Sequence, residues 1–413
     1  MAGLSHKEAA QGEPAGARGD GTGARGGAAR SEQLVPYTLR ELVAYFLYLG
    51  YAGFGGPIAL VGYMQRDLVE SRRWFSIADY KEGLALAQLA PGPLAAQLAI
   101  YLGWIDYGVR GASLVALAFV LPSFLMVLVV SAVYVAYGGL TWMQGAFYGI
   151  GAAVIAIIGR SAWKLTRSTL GSDRLLWILF TVSAVSTIVT ESEIVWFFLA
   201  AGVIALARTL TMRDAATAAS IWPWPVLFSG IHGEATGGTL WTIAWYFSEA
   251  GAFVFGSGLA IIPFLHGGVV SEFGWLNERQ FLDAVAVAMI TPGPVVITVA
   301  FIGYLVAGLA GATIAAVAVF LPCYLFTVIP ARYFKRAVHD VRVRAFVDGV
   351  TAAAAGAIAG AAVVLGRRAI VDVPTLLIAA GTLLALTRIK GVSEPLLIVG
   401  AGVLGVVVTM VMQ

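Results

Sequence analysis

Charged residues and cysteine are scarce in this chain. Only 12% of its 413 residues are charged, about half of the ~25% that is typical of soluble proteins. The single cysteine, Cys323, excludes an internal disulfide and a cysteine-based metal cluster. The net charge of +3 is small and its charges are scattered, which argues against nucleic acid as a partner.

Motifs for enzymatic chemistry are also missing from the sequence. The four histidines do not form a cluster, and there is no nucleophile elbow and no phosphate-binding loop. The sequence therefore predicts a protein that is not an enzyme and that uses no cofactor or metal. If it transports a solute, we expect secondary transport and not transport driven by nucleotide hydrolysis.

Apolar residues and glycine are abundant instead. Hydrophobic residues make up 59% of the chain, the mean hydropathy is +0.86, and 49 residues are glycine. Several apolar runs reach the ~20 residues that a helix needs to cross a bilayer. Glycine is frequent where transmembrane helices pack closely. These features predict an all-α polytopic membrane protein, with the lipid bilayer as its first partner.

The apolar runs predict about twelve helical segments in two halves. We expect a disordered N-terminal tail at 1–36, a first transmembrane repeat at 37–211, a connector at 212–239 and a second repeat at 240–413. The predicted segments are 39–64, 83–105, 111–136, 141–159, 174–190, 194–211, 240–265, 282–306, 309–330, 345–365, 369–387 and 393–412.

The two halves repeat the same pattern. The motif Pro292-Gly293-Pro294 lies 201 positions after Pro91-Gly92-Pro93, and after these motifs the step between matching residues falls to 200. Other pairs in the repeat are Phe54 and Phe255, Trp74 and Trp275, Glu82 and Asp283, Gly103 and Gly303, and Pro122 and Pro322. A duplicated half with a helix break in each copy is typical of transporters that build a central site at the repeat interface.

The basic residues indicate orientation. The arginines of the tail, together with Arg40 at the start of the first segment, suggest a cytoplasmic N-terminus. Basic clusters at 160–174 and 332–344 occupy different places in the two halves, which favours repeats inserted in opposite orientation. Six simple crossings in each half would instead make the repeats parallel, so an inverted arrangement needs an odd number of crossings before the second half.

The Pro-Gly-Pro turns predict an anion site. Two prolines around a glycine cannot continue a regular helix, so a new helix begins near Pro93 and near Pro294. The first turn of each new helix has unpaired N–H groups and about half a positive charge from its dipole. Two such ends at one cavity would bind an anion. The structural alternative is a pair of kinks.

Residues around these turns and around the glycine-rich breaks form the predicted site. Their alternative roles are interhelical hydrogen bonding, tight packing and, for the charged ones, solvated loop positions. The predicted substrate-binding residues are Gly55, Gly56, Pro57, Arg66, Lys81, Gln88, Pro91, Gly92, Pro93, Gln97, Gly256, Ser257, Gly258, Thr291, Pro292, Gly293, Pro294 and Thr298. The candidates for coupling transport to a proton are Glu82, Asp283 and Glu249.

The segments FGGPIALVGYM, RRWFS through QLAPGPLAAQ, and FGSGLAIIPFLHGGVV through ITPGPVVITVAFIGYLVAG resemble the chromate transporter (CHR) family. The resemblance extends from about residue 37 to 410 and identifies a long, fused member with two tandem halves. It implies an inner-membrane carrier that expels chromate, driven by the proton gradient, and so confers chromate resistance. The family signature falls on Phe54, Gly55, Gly56, Pro57, Met64, Trp74, Gln88, Pro91, Gly92, Pro93, Gln97, Phe255, Gly256, Gly258, Pro263, Trp275, Pro292, Gly293 and Pro294.

Other functions stay open at this point. A passive oxyanion channel would have similar binding elements without coupling, and a sulfate carrier would bind a similar tetrahedral dianion. A membrane chromate reductase is disfavoured by the single cysteine and the absence of a cofactor motif. We expect chromate first and sulfate as its competitor, and a homodimer is a further expectation.

Overall fold

The computed structural model describes residues 34–54, 56–137, 141–190, 195–211, 237–254, 258, 261–332, 341–389 and 394–412. Every regular element in these ranges is helical, which confirms the predicted all-α class. Gly55, Gly256 and Ser257 lie outside the described residues, as do nearly all of the predicted tail and most of the predicted connector.

The helices follow the predicted segments, with breaks inside several of them. The first half contains α1 (Leu39–Ala52), α2 (Gly56–Met64) followed by a π-helical turn (Gln65–Ser71), α3 (Ile77–Leu89), α4 (Leu94–Tyr137), α5 (Thr141–Leu170), α6 (Arg174–Thr190) and α7 (Val195–Thr211). The second half contains α8 (Gly237–Phe253), α9 (Ile261–His266) with a π-helical turn (Gly267–Glu272), α10 (Glu278–Ile290), a 3-10 turn (Val295–Ile297), α11 (Thr298–Ala331), α12 (Val341–Ala369), α13 (Val373–Arg388) and α14 (Glu394–Met412).

Several helices are suited to a membrane by length and composition. Among the described residues, those long and apolar enough to span it are Leu94–Tyr137, Trp142–Arg167, Val295–Ala331, Val341–Ala369 and Glu394–Val411. Shorter apolar helices occupy Arg174–Thr190, Phe197–Thr209 and Val373–Arg388. These helices agree with the predicted multi-pass membrane protein.

The first predicted segment, 39–64, is a hairpin and not a single helix. The backbone N–H of Val35 donates to the carbonyl of Arg73 at 2.9 Å, and the rings of Tyr37 and Trp74 stack with centroids 4.9 Å apart. The beginning of α1 therefore lies beside the end of the arm that returns through α2. The chain turns back near Gly53, where glycine ends α1.

The second predicted segment, 83–105, is also a hairpin. Gly83 on α3 faces the ring of Tyr101 on α4, and the hydroxyl of Tyr107 donates to the carbonyl of Tyr37 at 2.7 Å. The first part of α4 thus returns to the level at which α1 begins. The tip of this hairpin is the Pro-Gly-Pro turn, and at Gly108 a left-handed φ of 59° redirects the chain into the long remainder of α4.

The second half builds the same pair of hairpins. The hydroxyl of Tyr246 on α8 donates to the carbonyl of Phe264 at 2.7 Å, and the two rings stack 5.2 Å apart. Gly308 has a φ of 58° and bends α11 as Gly108 bends α4. Each half therefore begins with two hairpins and continues into one long helix.

The far end of each long helix lies beside the hairpins of the other half. Tyr134, near the end of α4, donates its hydroxyl to Asp283 on α10 at 2.7 Å. Ala331, at the end of α11, packs in a cluster with Leu86 and Tyr101 of the first half. The guanidinium of Arg279, at the start of α10, donates to the carbonyl of Gln144 near the start of α5 at 3.1 Å.

The remaining helices surround this centre and pack through small residues. α12 packs against α6 and α7, and α14 packs against α5. Gly356 on α12 lies against the backbone of Phe180 on α6, where a side chain would not fit. At the α5–α6 turn, the hydrogen bond from Arg208 on α7 lowers the pKa of the Asp173 carboxyl to about 2. The carboxylate therefore stays ionised throughout the physiological pH range, and the ion pair between this turn and α7 persists.

Candidate functional site

The hairpin tips of the two halves are joined by a reciprocal pair of hydrogen bonds. The N–H of Gly92 donates to the carbonyl of Val254 at 2.5 Å, and the N–H of Gly293 donates to the carbonyl of Gly53 at 3.0 Å. Val254 lies 201 positions after Gly53, just as Gly293 lies 201 positions after Gly92. The same bond is thus formed twice with the halves exchanged, and each Pro-Gly-Pro turn closes on the first hairpin of the other half.

Both turn glycines adopt backbone conformations that other residues avoid. The φ angle is 140° at Gly92 and 98° at Gly293, values at which a Cβ atom clashes with the chain's own backbone. A Cβ on Gly92 would lie 3.1 Å from the Cβ of Cys323. A Cβ on Gly293 would collide with the hydroxyl of Ser123. Glycine is therefore required at both tips for two independent reasons.

Ser123 and Cys323 are site residues that the sequence reasoning missed. They lie 200 positions apart, each next to the repeated proline in its long helix. Both are fully buried, each against the turn of the other half. The repeat pairing could have identified them, because each follows the proline that the repeat aligns, but nothing in the sequence shows that they face the turns.

The helices that leave the two turns start differently. The N–H of Gln97 donates to the carbonyl of Pro93, four residues back, whereas the N–H of Ile297 donates to that of Pro294, three residues back. One α-helical turn in the first half is therefore replaced by a shorter 3-10 turn in the second. This explains why the repeat step falls from 201 to 200 at this point. It also pairs Gln97 with Ile297, and not with Thr298.

The Gln97 amide is the most unusual polar group at the tips. The side chain is fully buried, and its Nε2 donates to the carbonyl of Pro91 at 2.7 Å. Its Oε1 has no hydrogen-bond partner, and among the described residues no other buried side-chain nitrogen or oxygen is in this state. A Cβ on Gly92 would lie 2.8 Å from Nε2, so the amide lies directly against the turn.

The hydroxyls predicted to bind in the second half are used within their own helices. Thr298 is fully buried and donates to the carbonyl of Val295 at 2.7 Å. Thr291 donates to the carbonyl of Ala288 at 3.2 Å. Both hydroxyls can still accept a hydrogen bond, but neither proton is directed at a ligand.

The glycine-rich breaks of the two halves also meet at the tips. A Cβ on Gly258 would lie 3.7 Å from the ring of Pro57 and 3.6 Å from the side chain of Val296. Pro57 therefore lies beside the second-half break, as the repeat predicts for a shared site. Gly258 and Val296 are buried and Pro57 is partly buried, and the low polarity of these surroundings strengthens electrostatic interactions with the helix ends.

Three predicted polar residues of the first half lie at exposed positions. The Arg66 side chain is 60% exposed and forms an ion pair with Asp67 at 2.9 Å. Lys81 and Gln88 are exposed as well, whereas Gly92, Pro93, Pro292, Gly293 and Pro294 are buried. The structure thus brings together the turns, Gln97, Pro57 and Gly258, and it leaves the predicted side chains of Arg66, Lys81 and Gln88 exposed.

The repeat-equivalent acids, Glu82 and Asp283, each have a tyrosine hydroxyl as partner. Tyr101 donates to Glu82 within the first half. Phe301 occupies the place of Tyr101 in the second half and has no hydroxyl. Tyr134 of the first half supplies the hydroxyl to Asp283 instead, with its ring 5.2 Å from that of Phe301. Asp283 is consequently tied to the interface between the halves, a link that the sequence did not indicate.

The three acids differ in burial. Asp283 is only 4% exposed, while Glu82 and Glu249 are half-buried. An acid that is buried within a membrane protein is costly and is usually retained for a function. Asp283 is therefore the strongest of the three candidates for carrying a proton.

A family model described as "Chromate transporter" matches this chain twice, over residues 40–206 and 241–406. The chain belongs to the chromate transporter family. This is a family of membrane transporters and not of enzymes. The two matches begin 201 positions apart and end 200 positions apart, which agrees with the internal repeat.

Relatives in the chromate transporter family cover most of the chain. It is 60% identical over 390 residues to the chromate transport protein of Cupriavidus metallidurans, which covers 90% of this chain and 93% of the relative. It is 57% identical over 377 residues to the probable chromate transport protein of Synechococcus elongatus, with 90% and 96% covered. The chromate transport protein of Pseudomonas aeruginosa is 32% identical over 353 residues, with 83% and 84% covered. No solved structure matches the chain.

Proposed function

We propose that this member of the chromate transporter family is a secondary active transporter that exports chromate across the inner membrane and confers chromate resistance. One relative of high identity carries the name chromate transport protein, and another carries the name probable chromate transport protein. The observation that carries the proposal is the reciprocal closure of the two Pro-Gly-Pro turns, because it joins the helix start of each half to the first hairpin of the other half.

The oxyanion binds between the two tips in this proposal. Each helix start contributes about half a positive charge, so the two together contribute about one. The first N–H groups of α4, from Leu94 to Ala96, have no carbonyl within the helix to bond to. An entering oxyanion would use these groups and would replace the carbonyls of Val254 and Gly53 as acceptors for the glycine N–H groups. Opening the tips would then be part of each transport cycle.

We propose that the two repeats are inverted and that rocking of one against the other alternates access to the tips. Three contacts support this arrangement: Tyr134 with Asp283, Arg279 with Gln144, and Ala331 with Tyr101. Each long helix starts beside its own hairpins and ends beside those of the other half. That is the relation expected of two halves that enter the membrane from opposite sides.

The driving force in this proposal is proton antiport, with Asp283 as the proton carrier. Its burial and its hydrogen bond from the other half support the assignment, because protonation would weaken a contact between the halves. The disordered tail at 1–36, the connector at 212–239, a cytoplasmic N-terminus and a homodimer remain parts of the proposal.

Flux of labelled chromate in proteoliposomes tests the function. We expect the purified full chain to move chromate faster when a pH gradient is imposed, and to release it still as Cr(VI). Liposomes without protein are the control for leakage. Flux that ignores the gradient would indicate a channel, and recovery of Cr(III) would indicate a reductase. Sulfate flux in place of chromate flux would identify a sulfate carrier, and each of these results would overturn the proposal.

A further inference from the structure

We infer that the tips bind the protonated form of the oxyanion, an anion that carries one O–H group, and that Gln97 Oε1 accepts the hydrogen bond from that group. The inference rests on the proposed function and specifies which form of the substrate the site takes. It makes Gln97 the residue that separates chromate from sulfate. Because the bound anion carries one proton outward, a pH gradient drives export only if at least two protons return in each cycle, one of them on Asp283.

The orientation of the Gln97 amide is fixed by its partner. The carbonyl of Pro91 can only accept a hydrogen bond, so the group 2.7 Å away must be the donating Nε2. A flipped amide would set two oxygen atoms against each other. Oε1 is therefore an acceptor at the turn, and one of the two N–H donors of Nε2 is used by Pro91.

A buried acceptor without a partner selects a ligand that donates. Leaving such a group unsatisfied is costly, and native structures rarely retain one without a reason. A fully deprotonated oxyanion presents only acceptors, and Oε1 would repel it. A hydrogen-oxyanion can direct its O–H at Oε1, while its other oxygens accept from the N–H groups at the start of α4.

The charge available at the tips fits a monoanion. Two helix starts supply about one positive charge, and the one arginine and one lysine predicted for the site, Arg66 and Lys81, lie at exposed positions. A dianion would retain an uncompensated negative charge in buried, apolar surroundings, which is unfavourable. Protonation of the substrate removes that excess.

Among the described residues, only the first half contributes a buried side-chain acceptor without a partner, because the halves differ at this position. Ile297 stands in the second half where Gln97 stands in the first, and its side chain is apolar and fully buried. The 3-10 turn of the second half therefore also affects ligand binding, because it places the apolar Ile297 where the first half has the acceptor Gln97.

This selection distinguishes oxyanions by their acid–base chemistry. Chromate takes up its first proton near neutral pH, arsenate carries one or two O–H groups over the same range, and sulfate and selenate remain fully deprotonated. A site that requires an O–H donor accepts the first two and rejects the others, even though all four are tetrahedral and similar in size. Sites built around a hydrogen bond discriminate strongly against analogues that lack the required group.

The test measures flux of all four anions in proteoliposomes, at equal pH on both faces, from mildly acidic to mildly alkaline conditions. We expect chromate flux at fixed total chromate to rise as the pH falls, in parallel with its protonated fraction. Arsenate should compete, and sulfate and selenate should not. Chromate flux that instead follows the deprotonated fraction, or equal competition by sulfate at every pH, would overturn the inference.

Two variants assign the effect to Gln97. Gln97→Leu should lower chromate flux about 10-fold or more, as expected for the loss of a hydrogen bond to a charged ligand, and should remove its parallel with the protonated fraction. Gln97→Glu should retain flux only under acidic conditions, where a protonated carboxyl can donate to Pro91 and accept from the ligand. Ser131→Ala is the matched control, because this buried hydroxyl on α4 donates only to Val127 of its own helix.

The outcomes separate this inference from the proposed function. If chromate does not move but arsenate moves, with a flux that rises as the pH falls and its monoanion becomes the main form, the proposed substrate is wrong and the selection by Gln97 stands. If chromate moves and the Gln97 variants keep the wild-type pH profile, the function stands and the inference is wrong. If only sulfate and selenate move, both are wrong.

Discussion

Gly92→Ala and Gly293→Ala each lower chromate flux at least about 100-fold, a loss that corresponds to ~2.8 kcal/mol. The methyl group is forced into a backbone conformation that alanine avoids, and it meets a neighbour at each tip: the Gln97 amide and Cys323 at Gly92, and the Ser123 hydroxyl at Gly293. Backbone strain and overpacking each cost about 1–3 kcal/mol. The tip has to shift, and the reciprocal hydrogen bond between the halves is lost with it.

The measurement is chromate flux in proteoliposomes that contain equal amounts of correctly folded protein, checked by size-exclusion chromatography. Gly159→Ala is the matched control, because a Cβ at this helical glycine meets open space. Combining Gly293→Ala with Ser123→Ala should restore part of the flux, since it removes the collision with the hydroxyl but not the strain. Wild-type flux in both alanine variants would show that the tips are not the site.

Asp283→Asn should abolish the response of chromate flux to an imposed pH gradient. The asparagine side chain has nearly the same shape and can still accept the hydrogen bond from Tyr134, but it cannot bind and release a proton. Chromate exchange at equal pH on both faces should persist, because the tips are unchanged. Flux with and without the gradient, measured on the same preparation, gives the comparison.

Variants of Tyr134 and of the other two candidate acids, Glu82 and Glu249, complete this experiment. Tyr134→Phe keeps the ring against Phe301 and removes the hydroxyl, so we expect it to shift the pH at which the gradient acts and to leave coupling in place. A full gradient response in Asp283→Asn would contradict the assignment. Loss of the response in Glu82→Gln or Glu249→Gln alone would transfer the role to one of those acids.

Composition and helix breakers predicted much of this fold. Low charge and long apolar runs indicated a membrane protein, and the repeated Pro-Gly-Pro motif indicated two equivalent halves. The sequence could not show that the segments at 39–64 and 83–105 turn back. An apolar run with a break in its middle has the same composition whether its second part continues across the membrane or returns.

The contacts between the halves could not be predicted from the sequence either, because nothing in the local sequence indicates them. Ser123, Cys323 and Tyr134 act on residues of the other half, and their own neighbours in sequence are ordinary membrane-helix residues. Gln97 pairs with Ile297, and not with the predicted binding residue Thr298, because one α-helical turn is replaced by a 3-10 turn immediately after Pro294. A one-residue slip of this kind leaves no mark in the sequence that fixes where it occurs.

Reactivity of the single cysteine tests the central claim, that the oxyanion binds between tips that open during transport. Cys323 is fully buried against the Gly92 turn, so a thiol reagent can reach it only when the tips separate. The measurement is the rate of labelling of the wild-type chain in proteoliposomes as chromate is added, with total thiol counted after unfolding to correct for oxidation by chromate. We predict slow labelling that chromate changes with the same half-saturation as its flux. Labelling that is indifferent to chromate, in protein that transports it, would contradict the account.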